Sequence, residues 1–304
     1  MISALSFGEI LWDIIEGEAH IGGATFNLAA HLSKMGAEVY MISSLGEDDL
    51  GFRAFERAKD FGIRREFITF QSEYPTGTVD VFLDSGGHPD YTIHEDTAWD
   101  NLDDPMASRG QIVSREWDVF CFGTIAQRTQ RNREVLASVI DGIQTRHTFY
   151  DMNLRQSYHH PEWIESSLSR SSIVKLNDDE AAAVARMLGK KTVEDVEDLH
   201  LLMKTMAADY DIDVVIVTRG NTGAVAYKGG RFFESICADV DVVDTVGAGD
   251  SFSAGFLFAY LSGHDVDFSV QSAGKIADFV VTRRGAIPEY TDKQRSELSR
   301  ITGG

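Results

Sequence analysis

A glycine-spaced turn followed at once by an acid stands near the end of the sequence, at Asp244-Thr245-Val246-Gly247-Ala248-Gly249-Asp250. Glycines at 247 and 249 allow a tight turn and a close backbone approach to a ligand. A helix that starts there would direct unpaired N–H groups and a positive dipole end at that ligand, which suits an anion and phosphate above all. A carboxylate would repel phosphate, so Asp250 is expected to handle a proton. An inert turn before a buried helix over 251–261 is the alternative.

A second polar pair, Asn177 and Glu180, follows a predicted strand that ends at Leu176. This spacing is typical of a helix cap in which the acid reaches back to the backbone of the asparagine. The pair could also hold Mg²⁺ through water, since Mg²⁺ prefers oxygen ligands and keeps several waters. Taken alone, the spacing favours the cap.

Residues near the N-terminus have the chemistry to bind a polyol. The apolar run over 2–11 predicts a buried parallel strand that ends near Asp13, and ligands of open α/β sheets bind at the carboxyl ends of strands. Gly22-Gly23 precedes a helical pattern, and Asn27 falls in the first turn of that helix. An amide beside a carboxylate suits sugar hydroxyls, whereas the Gly-Gly pair could be only a turn.

Polar residues also follow two strands in the middle of the chain. Arg155, in Asp151-Met152-Asn153-Leu154-Arg155, could clamp a phosphate in bidentate fashion or pair with Asp151. The segment over 218–223 contains Gly220 and Gly223 after a very apolar strand. These glycines suit either a turn or a backbone edge against a nucleotide.

The elements that must position these residues alternate between strands and helices. Repeated βα units predict an α/β fold with a mostly parallel sheet covered on both faces. Residues 76–84 and 90–94 instead alternate like a hairpin around a turn at Ser85-Gly86-Gly87-His88. A hairpin inserted among βα units predicts a lid or a small second layer, and a purely structural edge hairpin is the alternative.

The composition of the 304 residues, 43% of them hydrophobic with five prolines, suits a compact protein with a sizeable core. A formal net charge of -20 opposes nucleic acid or anionic membrane as a partner. No apolar stretch is long enough to predict a membrane span. Two distant cysteines, Cys121 and Cys237, predict reduced thiols and a cytoplasmic location.

Several motifs of other enzyme classes are missing from the sequence. The nine histidines show no spacing of a structural zinc site. There is no G-x-x-x-x-G-K-[ST], which argues against a Walker-type NTPase. No G-x-G-x-x-G follows the first predicted strand, which disfavours a NAD-dependent oxidoreductase.

Three motifs in one order, Gly22-Gly23-x-x-x-Asn27, Asn177-x-x-Glu180 and the late segment 244–250, closely resemble the ribokinase-like (pfkB) carbohydrate kinases along essentially the whole chain. Within that family the segments 8–13, 91–94 with 98–100, 122–128 and 151–155 are most similar to fructokinases. Met152 stands where the usual motif Asp-Pro-Asn-Leu-Arg has proline.

The resemblance implies a three-layer α/β/α fold with a mostly parallel sheet, in a single domain over 1–304. Segments near 12–20 and 76–96 would form a small β lid. It also implies transfer of the γ-phosphoryl group of ATP to a primary hydroxyl of a ketose, with fructose as the expected acceptor. The alternatives are another acceptor (ribose, 2-keto-3-deoxygluconate or a nucleoside) and, from another class, a non-catalytic sugar- or nucleotide-binding regulator.

The same resemblance implies roles for individual residues. The catalytic set would be Asp250 with Gly247, Ala248 and Gly249. The sugar would be bound by Asp13, Gly23, Asn27, Tyr91 and Arg155. The nucleotide would be bound by Lys175, Asn177, Thr218, Gly220, Gly223 and Gly249. Mg²⁺ would be held through water by Asn177 and Glu180, and K⁺ could be held by Asp244 with backbone near Val246 and Gly285. Two copies could pair through the lid into a homodimer.

Overall fold

The computed structural model describes residues 1–83, 89–108, 110 and 112–301, so the turn predicted at Ser85 to His88 lies outside the described residues. The strands are β1 (Ser3–Phe7), β2 (Leu11–Ile15), β3 (Glu18–Gly22), β4 (Glu38–Gly46), β5 (Ile68–Gln71), β6 (Gly77–Leu83), β7 (Pro89–Ile93), β8 (Glu116–Gly123), β9 (Gln144–Asp151), β10 (Ile173–Asn177), β11 (Val214–Thr218), β12 (Ala224–Lys228) and β13 (Arg231–Ser235). The α-helices are α1 (Ala24–Lys34), α2 (Asp49–Asp60), α3 (Gln130–Gly142), α4 (Pro161–Leu168), α5 (Asp178–Met187), α6 (Val196–Tyr210), α7 (Ala248–Leu261), α8 (Val266–Val281) and α9 (Asp292–Ile301).

The larger sheet has nine strands in the order β13-β12-β11-β10-β9-β8-β1-β4-β5. Neighbours from β5 to β11 pair in parallel, and β12 and β13 close one edge as an antiparallel hairpin. The register sets Lys175 of β10 beside Asp151 of β9, and Asn177 beside Thr218 of β11. The carboxyl ends of these parallel strands therefore gather four polar residues at one edge of the sheet.

Side chains that alternate along the strands create two separate cores. Val214 and Ile216 of β11 pack on one side, in a core shared with residues of α1, α2, α7 and α8. Val215 and Val217 pack on the other side with residues of α3, α4, α5 and α6. A side chain of this size contributes about 1.5–3 kcal/mol when fully buried, so both faces of the sheet need a helical cover. The predicted three-layer α/β/α fold is confirmed.

The smaller sheet has four strands in the order β3-β2-β6-β7. Both β2–β3 and β6–β7 are antiparallel, and the central pair β2–β6 is parallel. A satellite core of Leu11, Val79, Trp99 and Ile125 supports it. Its strands fall in the two segments near 12–20 and 76–96. The parallel pairing of residues 66 positions apart, such as Leu11 with Gly77, was not anticipated from the hairpin pattern.

The single first strand predicted over 2–11 is wrong, because β1 ends at Phe7 and β2 begins at Leu11 in the other sheet. Gly8 has φ +148, and a Cβ there would lie 2.6 Å from the hydroxyl of Thr25. Both Glu9 and Ile10 at the break are buried, so the apolar pattern did not reveal it. As a result Asp13 lies in the middle of a strand of the smaller sheet, beside Val79 and His20, and not at the carboxyl end of β1.

Candidate active site

The start of α7 lacks the side-chain cap that most helices of this chain have. Side chains cap α2, α3, α6 and α8 through Asp48, Thr129, Asp195 and Asp265. The N-cap of α7 is Gly247, and no side chain accepts from its first turn. The N–H group of Ala248 donates to Thr245 at 3.2 Å in a turn. The N–H groups of Gly249 and Asp250 therefore remain for a ligand at the positive end of the helix dipole.

Glycine is required at 247 for two reasons. Its φ of +77 lies in the left-handed region, and a Cβ would lie 2.6 Å from both the Cα and the carbonyl oxygen of Ala286. The chain at 286 thus packs directly behind the turn that exposes the N–H groups. The predicted anion site depends on this close approach of two backbones.

Asp250 lies in the first turn of α7 and accepts a hydrogen bond of 2.8 Å from Nδ2 of Asn27, 223 residues away in sequence. Burial, and next the charge of Asp151, raise the pKa of Asp250 to about 6, although Asn27, Lys175 and Arg155 oppose the shift. Such a carboxylate is basic enough to take a proton at neutral pH. The buried Oδ1 of Asn27 has no partner among the described residues and can accept a hydroxyl proton from a ligand.

A buried ion pair lies below the exposed N–H groups. Nζ of Lys175 is 3.1 and 3.2 Å from the two carboxylate oxygens of Asp151, which also accepts from the hydroxyl of Ser253 at 2.9 Å. A Cβ at Gly249 would lie 3.0 Å from this ammonium, so glycine keeps the space open. The alternative pairing of Asp151 with Arg155 is wrong, because Lys175 of the neighbouring strand occupies that carboxylate.

Arg155 is exposed, and within the described ranges its guanidinium has no hydrogen bond or ion pair. Its charge lowers the pKa of both Asp13 and Asp250, which places it where both carboxylates sense it. Burial nevertheless raises the pKa of Asp13 to about 6. A Cβ at Gly22 would lie 2.5 Å from Oδ2 of Asp13, so glycine there makes room for the acid.

Gly23 and Tyr91 are placed differently from each other. Gly23 is the N-cap of α1 with φ +110, and a Cβ would lie 2.5 Å from the carbonyl oxygen of Glu9. Its close packing alone explains the glycine. Tyr91 lies on β7 and is 43% exposed. Since Ile93 pairs with Val79 and Val79 with Asp13, strand alternation puts Tyr91 on the face of the smaller sheet that carries Asp13.

Asn177 and Glu180 form a reciprocal capping box at the start of α5, as the spacing favoured. Oδ1 of Asn177 accepts from the N–H of Glu180, and Oε2 of Glu180 accepts from the N–H of Asn177, each at 2.8 Å. Oε1 of Glu180 accepts from Leu154 at 2.7 Å. Burial raises the pKa of Glu180 while Lys175 lowers it. To hold Mg²⁺ or its waters, Asn177 and Glu180 would have to use the oxygen lone pairs that these hydrogen bonds do not occupy.

Among the predicted nucleotide residues, Thr218 ends β11 beside Asn177, and Gly220 lies at φ +52 with open space around its Cα. Gly223 differs, because a Cβ there would lie 2.0 Å from the carbonyl oxygen of Ser235. The turn into β12 therefore explains Gly223. Gly220 is the glycine of this segment with room beside it for a ligand.

The three residues predicted for a monovalent cation are brought together. The carboxylate of Asp244 accepts from the N–H of Val246 at 3.0 Å and from that of Gly285 at 2.9 Å. These bonds tie the loop before α7 to the segment after α8. The described side chains contain no cluster of three His, Cys, Asp or Glu suited to a metal, so a divalent ion here would need water and ligand oxygens as further ligands.

A cleft of about 980 Å³ adjoins these residues, between the smaller sheet, α2 and the two loops joined by Asp244. Its walls include Asp13, Trp12, Phe52, Arg53 and Arg284. The cleft lies at the upper end of the size range of small-molecule sites, and among the described residues Asp13 and Asp244 line it while Asp250 and Asn27 do not.

Several residues that complete the site were not predicted from the sequence. Oε1 of Glu9 accepts from Ala24 at 2.8 Å and serves as the cap of α1, although it lies 15 residues before the helix. His20 faces Asp13 across β2 and β3. Ser253 and His31 are internal to apolar helices, where serine and histidine are read as ordinary buried residues. Their position four residues after Asn27 and Gly249, on the same helix faces, is the one sequence signal that could have suggested His31 and Ser253.

The described part of the chain contains no helix with the length and apolar character needed to cross a membrane.

An α/β/α fold with free N–H groups and a carboxylate of raised pKa at the start of one helix has the groups that phosphoryl transfer requires. The profile of the pfkB family carbohydrate kinases matches residues 4–293. The chain belongs to this family and is a sugar kinase of the pfkB type.

The individual relatives have low sequence identity to this chain, and their names indicate different substrates. Probable fructokinase-2 of Arabidopsis thaliana is 25% identical, over 93% of this chain and 91% of its own. Aminoimidazole riboside kinase of Salmonella typhimurium is also 25% identical, over 88% and 83% of the two chains. The crystal structure of fructokinase with bound ATP from Xylella fastidiosa matches with a TM-score of 0.80 at 20% identity, over 99% of both chains. Equal identity to two kinases with different acceptors leaves the acceptor open.

Proposed function

We propose that this sugar kinase transfers the γ-phosphoryl group of ATP to a primary hydroxyl of a ketose, with fructose as the acceptor. The observation that carries the proposal is the carboxylate of Asp250, with a pKa of about 6, in the first turn of a helix whose N–H groups have no side-chain cap. A base and an anion site lie within one helical turn. Phosphoryl transfer depends on positioning and on stabilising charge, and these two groups contribute to both.

Asp250 acts as the general base. The acceptor oxygen forms a bond to the γ-phosphorus, its proton passes to the carboxylate of Asp250, and the bond from phosphorus to the β,γ-bridging oxygen breaks with its electrons leaving on ADP. Asn27 holds Asp250 by its 2.8 Å hydrogen bond and offers its free Oδ1 to the acceptor. One amide thereby orients the base and, through a neighbouring hydroxyl that donates to its Oδ1, the acceptor whose reacting hydroxyl donates to Asp250.

The N–H groups of Gly247, Ala248 and Gly249, with that of Asp250, bind the charge on the transferred group, and for Ala248 this requires its 3.2 Å bond to Thr245 to open. Lys175 lies below them and is already paired with Asp151, which neutralises most of its charge and holds its side chain in place. Arg155 has no such partner in the described chain and is the better candidate for a mobile phosphate clamp. It belongs to the acceptor side, together with Asp13, Gly23 and Tyr91.

ATP would lie along Thr218, Gly220 and Gly223, with Lys175, Asn177 and Gly249 at its phosphates. Mg²⁺ would neutralise phosphate charge when bound, and Asn177 and Glu180 would orient its waters while they cap α5. K⁺ would be held beside Asp244 by backbone oxygens near Val246 and Gly285. The chain is proposed to work as one domain, the smaller sheet as a lid that excludes water, and two copies to pair through that sheet.

A panel of acceptors tests the proposal. Formation of ADP from Mg·ATP is measured with fructose, ribose, 2-keto-3-deoxygluconate and a nucleoside, with ³¹P NMR of the product and the Asp250→Asn variant as control. Fructose is expected to give the highest kcat/KM. No turnover with fructose beside fast turnover of another acceptor would overturn the fructose assignment.

A non-catalytic regulator is the second candidate. It predicts calorimetric binding of sugar or nucleotide with no product from any acceptor. The buried Asp250, with its raised pKa, argues against a regulator, because binding alone does not require a general base.

A further inference from the structure

One face of α1 contacts both the turn at the start of α7 and the segment 286–290 behind that turn. Asn27 and His31 are four residues apart on this helix and so lie on the same side. Asn27 contacts Asp250, and His31 contacts the segment 286–290. Lys34 continues the contact, donating to the carbonyl of Pro288 at 3.1 Å. A single helix therefore touches both the base and the chain behind the anion site.

His31 is fully buried, and both of its ring nitrogens have partners. Nε2 is 2.8 Å from the carbonyl oxygen of Ala286, and Nδ1 is 2.7 Å from the hydroxyl of Tyr290. A carbonyl oxygen can only accept, so Nε2 carries the proton. Burial lowers the pKa of His31 to about 4, so the ring is neutral at working pH and the hydroxyl of Tyr290 donates to Nδ1.

The carbonyl held by His31 is the same atom that limits Gly247. A Cβ at Gly247 would lie 2.6 Å from the oxygen of Ala286, so the two backbones are in contact. We infer that His31 is a positioning residue for phosphoryl transfer, which fixes Ala286 and through it the turn that presents the N–H groups of 247–249. This assignment deepens the proposed function and depends on it for its kinetic test alone.

Two substitutions separate the bonds of His31. In His31→Gln the amide nitrogen can reach the place of Nε2 and keep the bond to Ala286, whereas in His31→Asn the shorter side chain reaches only the place of Nδ1 and Tyr290. With the acceptor that turns over fastest, His31→Asn should lower kcat about ten-fold or more, a fraction of the loss for a deleted anion-site donor. Its acceptor KM should stay within about two-fold, because Asp13 and Asn27 are untouched. His31→Gln should stay within about three-fold in kcat.

Hydrogen–deuterium exchange of the peptide over 244–252 provides a readout without turnover. Exchange there should rise in His31→Asn and stay unchanged in His31→Gln and in Tyr290→Phe, which retains the donor to Ala286. Equal losses of kcat in the Gln and Asn variants, or faster exchange at 244–252 in Tyr290→Phe, would overturn the assignment. If no acceptor is phosphorylated, the proposed function fails, while the exchange pattern still decides the role of His31.

Discussion

The acid limb of the pH profile should report two carboxylates and not one. Burial raises the pKa of both Asp13 and Asp250 to about 6. Both must be ionised for activity, because Asp13 accepts a hydrogen bond from a sugar hydroxyl and Asp250 takes the proton of the reacting hydroxyl. A group with this pKa is about 90% ionised at pH 7 and about 10% at pH 5. The loss of kcat/KM between these pH values is thus about ten-fold for one group and about a hundred-fold for two.

The Asp13→Asn variant isolates one of the two groups. The assay measures kcat/KM for the acceptor from pH 5 to 8 at saturating Mg·ATP and constant ionic strength. The terminal phosphate of ATP titrates in the same range, but its effect is common to both enzymes and cancels in the ratio of wild type to Asp13→Asn. That ratio should fall about ten-fold from pH 7 to pH 5, as Asp13 of the wild type becomes protonated. A ratio that does not change with pH would refute the requirement for an ionised Asp13, and circular dichroism at each pH shows whether both proteins remain folded.

Three further substitutions test other parts of the site. Asp250→Asn keeps an oxygen that can accept from Asn27 but no base, so kcat should fall by about 10²–10⁴-fold; calorimetric acceptor affinity should be retained, and a near-normal rate would remove Asp250 from catalysis. Gly247→Ala adds a clash to a left-handed φ and should cost about 3 kcal/mol in denaturant unfolding, against about 1 kcal/mol for Gly263→Ala, which has φ +95 and open space; equal losses would contradict the packing explanation. Glu180→Gln keeps an oxygen for the N–H of Asn177 but turns its NH2 group toward the N–H of Leu154, so the free energy of unfolding should fall by about 1–3 kcal/mol. In the folded variant the half-maximal Mg²⁺ concentration should rise about ten-fold; an unchanged Mg²⁺ dependence would leave Glu180 as a cap alone.

The layered fold could be predicted because strands and helices alternate along the chain and the central strands, apolar on both sides, need a helical cover on each face of the sheet. The break between β1 and β2 at Gly8 could not be predicted. Glu9 is buried there because its carboxylate accepts from the start of α1, so residues 2–11 look like one continuous buried strand. Helix caps within a few residues could be predicted, as Asn177 and Glu180 demonstrate. A cap supplied from 15 residues away could not.

The motifs supplied candidate site residues but not the pairing of their side chains. Lys175 and Arg155 are both cations near a strand end, and the sequence does not reveal that Lys175 is bound to Asp151 while Arg155 is exposed. That difference comes from the register of β9 and β10, which sets Lys175 directly beside Asp151. Likewise, the bond between Asn27 and Asp250 joins helices that only the tertiary fold brings together.

The chain leaves the larger sheet and enters the smaller one within three residues, between Phe7 and Leu11. The face of the smaller sheet that carries Asp13 and Tyr91 therefore lies on a small core of its own, whereas the opposite face packs through Trp12 on the main core that also contains residues of α7. Substitutions on the face of Asp13 and Tyr91 can alter the acceptor side while the packing of Trp12 on the main core stays unchanged. Such a division lets one transfer apparatus be adapted to new acceptors, and it makes the smaller sheet the place to begin when the sugar preference is to be redesigned.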